Sequence, residues 1–138
     1  NSKHVTTMPA NLPRALFALR ASIAIFFAVW AVEKFVKPET TAAIWSKFYL
    51  VDGLPHELSY LIGAIQLLAV ILFALGLFKT WTYGFFLTIH ALGTLSTWQI
   101  LITPYEGGNH LFVAALPVLG ALVALFLMRR EDTWLSLG

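Results

Sequence analysis

The sequence predicts an all-α fold: an integral membrane, antiparallel four-helix bundle with a short interfacial helix in its first outer loop. Two observations predict this fold. Hydrophobic side chains make up 59% of the 138 residues and charged ones only 12%, which is more apolar surface than one small water-soluble core can hide. The apolar residues are also gathered into four long runs, which cover about residues 12–35, 58–78, 81–102 and 110–128.

Each run reaches or approaches the roughly 20 helical residues that cross a ~30 Å hydrocarbon layer. Lipid offers no hydrogen-bond partners to backbone N–H and C=O groups, so an isolated crossing has to be a helix. Four crossings place both termini on the same side of the membrane. We therefore predict a single four-helix transmembrane domain over residues 1–138.

Basic residues near the ends of the runs indicate which side holds the termini. The side of the termini carries five of them: Lys3, Arg14, Lys79, Arg129 and Arg130. The opposite side carries three: Lys34, Lys37 and Lys47. Because short cytoplasmic loops carry an excess of Lys and Arg, this bias favours cytoplasmic termini.

The connections between the runs have structural consequences of their own. Pro38, followed by Glu39 and Thr40, can begin a helix, and the aromatic residues after it predict a short interfacial helix near residues 39–50. The turn that follows Gly76 is tight and predicts that the second and third helices are antiparallel neighbours. Pro117 should bend the fourth helix or open its backbone locally.

Small side chains predict where helices approach one another closely. In lipid, packing replaces the hydrophobic effect between helices, and small residues let two backbones come together. The first run has such a face, formed by Ala21, Ala24, Ala28 and Ala31. The fourth run has a shorter one, formed by Gly120 and Ala124.

A polar stripe marks the third run. His90 lies near its centre, and Thr94 follows four residues later on the same helical face. Polar side chains at this depth should face protein rather than lipid. A neutral imidazole can hydrogen-bond a quinone carbonyl, relay a proton or contribute one metal ligand. The alternative is a histidine that is bonded to a hydroxyl or carbonyl group of a neighbouring helix.

Gln66 lies at a similar depth in the second run. Since the tight turn predicts that the second and third helices are adjacent, we take Gln66, His90 and Thr94 as the candidate cofactor-binding site. It would suit a quinone or another polar small molecule held between helices. The alternative is that the Gln66 amide only joins two helices.

Two charged residues of the first run have alternative interpretations. Arg20, near the inner end, either extends to the membrane interface or pairs with Glu131 or Asp132, and we expect extension to the interface. Glu33, at the outer end, either turns inward toward Gln66 or belongs to a solvated rim, and we expect the rim.

The composition excludes several kinds of chemistry. The chain has no cysteine, so disulfides, thiolate zinc sites and cysteine-ligated iron–sulfur clusters are ruled out. Only His90 lies deep in a run, and we expect no self-contained haem held by two histidines. The polar residues near His110 match no recognised metal-ligand spacing, so we expect no metal site. The basic residues form no patch that follows a phosphate backbone, and we expect no nucleic-acid partner.

Two segments carry a family resemblance. Residues 19–39, LRASIAIFFAVWAVEKFVKPE, have an arginine near the start and a Lys-Phe ending, and residues 60–84, YLIGAIQLLAVILFALGLFKTWTYG, contain a Gly-Leu-Phe turn. In this order they resemble the opening, second and third helices of the DoxX-like family of small four-helix bacterial membrane proteins. The resemblance runs from Leu19 to Arg130. It implies a protein of the bacterial cytoplasmic membrane that is linked to redox systems, which in this family include a thiosulfate to quinone oxidoreductase.

The resemblance and the residues together predict a small integral membrane subunit that anchors or assists a redox complex. The sequence identifies no cofactor and leaves a quinone as the candidate, and the partners would be the lipid bilayer and other transmembrane subunits. We expect a noncatalytic subunit rather than a self-contained enzyme, because no loop has room for a large active site. Two alternatives stay open. One is a ligand-free assembly factor or structural accessory subunit that packs against other transmembrane helices. The other is a small-solute transporter, for which a single chain without an inverted repeat offers little machinery.

Overall fold

A computed structural model describes residues 9–50 and 52–138, with Phe48 and Tyr49 described by their backbone alone. Lys3, one of the basic residues used for the predicted orientation, lies outside the described residues. The chain is all-helical, as the sequence predicts. The α-helices are α1 (Leu12–Val36), α2 (Pro38–Tyr49), α3 (His56–Ala74), α4 (Lys79–Ser96), α5 (Trp98–Leu101) and α6 (Ala115–Leu127), and a 3-10 helix (Asn109–Ala114) precedes α6.

Proline residues determine both ends of α1. Pro13 lies in its first turn, where a missing N–H costs no hydrogen bond. Pro38 disfavours helical geometry at Lys37, whose backbone departs from the helix with φ −137° and ψ 69°. α2 then begins at Pro38 and ends before Leu50, which has a left-handed φ of 58°. The predicted short helix near residues 39–50 is therefore confirmed.

The second predicted run ends as a helix earlier than expected. α3 stops at Ala74, and residues 75–78 form the turn into α4. Gly76 has φ +71° and Phe78 has φ 50°, so the backbone twice enters the left-handed region, which a helix cannot accommodate. The tight turn itself is where the sequence predicts it, and α3 and α4 are in contact.

The third predicted run, 81–102, is not one helix. It is interrupted at Thr97, between α4 and α5. The Thr97 hydroxyl donates to the carbonyl oxygens of Gly93 and Thr94, both at 3.2 Å, and Ser96 donates to the carbonyl of Leu92 at 2.8 Å. Hydroxyls that compete in this way for backbone acceptors weaken and bend a helix, which accounts for the break.

The fourth predicted run, 110–128, also changes character along its length. Its first part is the 3-10 helix, and regular α-helix begins only at Ala115. Pro117 is the third residue of α6, where its missing N–H is tolerated, but its ring opposes an α-helical turn before it. Pro117 thus accounts for the change from 3-10 helix to α-helix, and the bend or opening predicted at Pro117 stays a prediction.

Three segments are long and apolar enough to cross a membrane by length and composition: Leu12–Val36, His56–Ala74 and Asn109–Leu127. Among the helices that the structure describes, α4 does not meet this criterion of length and hydropathy. It carries Lys79 at its start and His90 in its middle, and hydroxyl residues recur along it. α4 nevertheless supplies two fully buried core residues, Tyr83 and Phe86.

One apolar core joins the four longest helices. α1 packs mainly along α3 and α4 mainly along α6, with further contacts between α1 and α6. Aromatic rings fill the centre: the ring centroids of Phe27 and Phe86 lie 4.6 Å apart, and those of Phe73 and Tyr83 lie 4.8 Å apart. Many large side chains on the outer faces of these helices are exposed, among them Ile25 and Leu127.

Gly63 sets the approach of α3 to α1. A Cβ at this position would lie 2.9 Å from the Lys34 Cβ and 2.9 Å from the Phe35 ring, and 3.2 Å from the Ala31 carbonyl oxygen. Ala31 itself is fully buried, in agreement with the small-residue face predicted for the first run. The same role predicted for Gly120 is wrong, because Gly120 is exposed and a Cβ there would meet nothing within 4 Å.

Gly63→Ala should destabilise the fold because the added methyl group has no room between α1 and α3. Overpacking of this kind costs about 1–3 kcal/mol. Reversible unfolding of the purified protein in detergent measures the change. Gly120→Ala is the matched control and should leave the free energy of unfolding unchanged or slightly raised. Equal stability of the two variants would contradict close packing at Gly63.

Candidate functional site

The strongest polar contact joins α1 to the residues after α6. The Arg20 guanidinium Nη1 donates to the Asp132 carboxylate at 3.0 Å, and both side chains are fully buried. Two charges withdrawn from water are tolerated only when they are paired and further hydrogen-bonded. Our expectation that Arg20 extends to the membrane interface is therefore wrong, and the alternative, pairing with Asp132, is what the structure has.

Tyr83 completes this buried cluster, which we call the Arg20 cluster (Arg20, Tyr83 and Asp132). The Tyr83 hydroxyl donates to the second Asp132 oxygen. Arg20 Nη2 also donates to the backbone oxygens of Trp134 and Leu135, each at 2.8 Å. The cluster therefore binds α1, α4 and the residues that follow α6, and its one positive charge is balanced by one negative charge.

Residues 129–138, the C-terminal segment, fold back over the turn between α3 and α4. The Leu137 N–H donates to the Leu75 carbonyl at 2.8 Å, and the Lys79 ammonium donates to the backbone oxygens of Asp132 and Gly138. Edge-on packing of Trp134 against Phe17, with centroids 5.0 Å apart, covers the start of α1. The segment is thus fixed by several independent contacts.

Gly76 permits this close approach. A Cβ at Gly76 would lie 2.2 Å from the Ser136 hydroxyl oxygen and 3.0 Å from Arg20 Nη1. Its φ of +71° also lies in a region that L side chains rarely adopt. Two independent constraints therefore require glycine at this position.

His90, the centre of the predicted cofactor site, is bonded within the protein. Its Nε2 lies 2.8 Å from the Ala115 carbonyl oxygen at the start of α6. Because a carbonyl oxygen only accepts, Nε2 carries the proton in this arrangement. The ring also packs edge-on against Phe26 and Phe27 of α1, with centroids 6.1 and 5.9 Å away. This geometry corresponds to the alternative in which the histidine joins neighbouring helices.

Thr94 and Gln66 have different environments. The Thr94 hydroxyl donates to the His90 backbone carbonyl at 2.8 Å, one turn earlier in α4. Gln66 shares a helical face with the buried residues Gly63, Val70 and Phe73, and its side-chain oxygen Oε1 is buried without a hydrogen-bond partner in the described part of the chain. No hydrogen bond within residues 9–50 and 52–138 joins Gln66 to His90 or Thr94.

At the end of the molecule opposite the C-terminal segment, the polar side chains that the structure describes lie apart from one another. Glu33 lines an open groove of about 580 Å³ along α1, beside apolar residues that include Ile25, Val29 and Val32. His110 is exposed, and Asn109 donates to Thr103. Among the residues that the structure describes, no three or more His, Asp or Glu side chains lie close enough together to hold a metal ion.

Comparison with protein-family models, with curated proteins and with solved structures gives no match to this chain. The resemblance to the DoxX-like family stays a prediction that rests on residues 19–39 and 60–84.

Asp132 was among the partners predicted for Arg20, but Tyr83 was not. Arg20 lies near the start of the first run and Tyr83 near the start of the third, two positions at the same end of an antiparallel arrangement. The sequence feature that could have predicted the cluster is the position of Arg20, Asp132 and Tyr83 at the same end of the helices. That combination favours a buried ion pair over extension of Arg20 into water.

Asp132→Asn should strongly destabilise the protein, because the Arg20 charge would stay buried without its partner. Breaking a buried pair from one side costs about 3–5 kcal/mol. Unfolding in detergent measures the loss, and Glu131→Gln, which removes the neighbouring carboxylate, should change stability little. The double variant Arg20→Met/Asp132→Asn should recover part of the loss. Equal effects of Asp132→Asn and Glu131→Gln would contradict the role assigned to the pair.

Proposed function

We propose that this chain is a small multi-pass protein of the bacterial cytoplasmic membrane that acts as a noncatalytic subunit of a larger redox complex. It would cross the bilayer four times, with both termini in the cytoplasm. Three apolar helices support the membrane position, and the excess of basic residues at the end that holds the termini supports the orientation.

Besides the three apolar segments, the remaining crossing would be α4, and α5 would extend it toward the outer side. α4 follows α3 after a turn of residues 75–78 and packs along α6. Its polar side chains need not meet lipid, because Tyr83 and Thr94 are buried and His90 is bonded to α6. A helix with such internal partners can cross a bilayer at lower mean hydropathy than an isolated one.

The noncatalytic role rests on the hydrogen bonds that the polar side chains in the middle of the bundle make within the chain. His90 is bonded to a backbone carbonyl at the start of α6, and Thr94 to one within its own helix, so both groups have their partners inside the chain. Many large apolar side chains outside the core are exposed along α1, α3, α4 and α6. Such surfaces suit contact with lipid and with the transmembrane helices of other subunits.

The redox association rests on the resemblance of residues 19–39 and 60–84 to the DoxX-like family. A quinone-linked form of this function is supported by Gln66 alone. Its buried Oε1 lacks a partner, and a buried polar atom without one costs free energy. A reduced quinone could donate a hydroxyl proton to this oxygen, and an amide turned by 180° could donate to a quinone carbonyl.

Single-cysteine labelling tests the number of crossings, and the chain contains no native cysteine to interfere. A membrane-impermeant thiol reagent applied to intact cells should label Glu57→Cys and Glu106→Cys. It should leave Thr80→Cys and Thr133→Cys unlabelled until the membrane is opened. All four positions are exposed.

Three crossings, with α4 outside the bilayer core, would give a different pattern. Glu106→Cys would then behave like Thr80→Cys, and Thr133→Cys would behave like Glu57→Cys. That result would overturn the four-crossing arrangement and leave the membrane position intact. Recovery of the chain from cells in the soluble fraction would overturn the membrane position itself.

Purification in mild detergent tests the subunit role and the quinone together. Mass spectrometry should identify co-purifying membrane proteins in fixed ratio, at least one of them a redox protein. If a quinone binds at Gln66, solvent extraction should recover it from the wild type, and Gln66→Leu should lower its amount at least about tenfold, the loss expected when a buried polar contact is removed. Gln99→Leu, at an exposed position, is the matched control.

The remaining outcomes separate the alternatives. Stoichiometric partners without quinone would favour the ligand-free accessory subunit. A chain that is pure, monomeric and free of quinone would contradict the subunit role.

A further inference from the structure

A cleft of about 350 Å³ opens beside the turn between α3 and α4. Its walls include the side chains of Lys79, Arg129 and Arg130, together with Thr80 and Thr133. No Asp or Glu side chain is among the described residues that line it. We call it the basic cleft, because three cationic side chains reach one small volume with two hydroxyl groups.

Two carboxylates follow Arg130 in the sequence, and neither forms an ion pair with these cations in the described part of the chain. Glu131 is not among the residues that line the cleft. Asp132 is held in the Arg20 cluster, where its two oxygens accept from Arg20 and Tyr83. Lys79 donates to the backbone oxygens of Asp132 and Gly138, and in the described part of the chain it makes no ion pair with a side-chain carboxylate. The cleft therefore keeps an excess of positive charge.

The two arginines differ in how firmly they are held. Arg129 Nε donates to the Thr80 hydroxyl at 3.1 Å and its Nη1 to the Phe126 carbonyl at 2.8 Å, and the guanidinium lies 4.4 Å from the Phe126 ring centroid. Arg130 is exposed, and over the described residues its guanidinium has no hydrogen-bond or ion-pair partner. Arg129 is thus already held in position, and Arg130 is available to bind an anion.

Exposed apolar side chains lie around the same end of the molecule. Phe78, which lines the cleft, is 66% exposed, and Trp81 and Leu127 are 79% and 72% exposed. Water is a poor solvent for such a group of side chains, whereas the boundary between lipid headgroups and acyl chains accommodates them and favours tryptophan. The cleft therefore combines cations for a headgroup with apolar surface for the chains attached to it.

We propose that the basic cleft binds the phosphate group of an anionic phospholipid in the cytoplasmic leaflet. Arg130 and Arg129 would donate to the phosphate oxygens, as guanidinium groups do in paired geometry, with Thr133 as a further donor. Basic pockets between transmembrane helices on this side of a membrane are suited to anionic headgroups. The proposal depends on the membrane position and orientation given under the proposed function.

Native mass spectrometry of the full chain in detergent tests the proposal, with equal amounts of phosphatidylglycerol and phosphatidylcholine added. The wild type should retain phosphatidylglycerol in preference. Arg130→Gln should lower that preference at least about tenfold, the loss expected when a hydrogen bond between two charged groups is removed. Arg14→Gln removes the same charge from an exposed position of α1 and should leave the preference unchanged.

A second variant lowers the positive charge of the cleft without altering an arginine. Thr133→Glu places a carboxylate in the cleft at an exposed position and should lower the preference at least as much as Arg130→Gln. Equal retention of the two lipids by the wild type, or equal losses in Arg130→Gln and Arg14→Gln, would overturn the proposal.

Inorganic phosphate separates the two sources of a phosphate group. If excess phosphate binds in the absence of phosphatidylglycerol, depends on Arg130 and displaces the lipid, the lipid assignment is overturned in favour of a soluble phosphate. Preference for phosphatidylglycerol in a chain that fails the cysteine-labelling test would contradict the proposed function and not the cleft.

Discussion

The structure depends on one buried guanidinium. Arg20 is fixed on α1 at a depth where it has no contact with solvent, so its charge must be balanced within the protein. A buried charge without a partner costs several kcal/mol, whereas an ordinary hydrogen bond contributes about 1 kcal/mol. The position of Asp132 is therefore decided by Arg20, and the C-terminal segment follows Asp132. The bonds from Arg20 to the Trp134 and Leu135 carbonyls, and the contact of Leu137 with the α3–α4 turn, add to that pairing.

The molecule has two polar layers of different character. At the end that holds the C-terminal segment, the contacts are ionic and join parts of the chain that are far apart in sequence, as between Arg20 and Asp132. At mid-depth they are neutral and stay within the helices or join neighbours, as between His90 and Ala115. Between and around these layers the packing is aromatic, with Phe27 and Phe86 in contact. Polar groups thus define which helices meet, and apolar area supplies most of the packing.

Several features of this fold could be predicted because a single residue determines them locally. Pro38 begins α2 and Gly76 lies in the turn after α3, so the short second helix and the tight turn could both be predicted. The break at Thr97 was not predicted, since it depends on hydroxyl groups that can bond either to solvent or to the backbone of their own helix.

The candidate site was harder to predict because it depends on which helices share the most surface. A tight turn makes α3 and α4 neighbours in sequence, but α3 packs mainly along α1, so Gln66 and His90 need not meet. Likewise, Glu131 and Asp132 are equivalent in the sequence, and the turn after α6, in which the Glu131 N–H donates to Met128, decides which carboxylate points inward. Once Asp132 is committed to Arg20, no side-chain carboxylate in the described part of the chain forms an ion pair with Lys79, Arg129 or Arg130. The same pairing that closes the core therefore creates the basic cleft beside it.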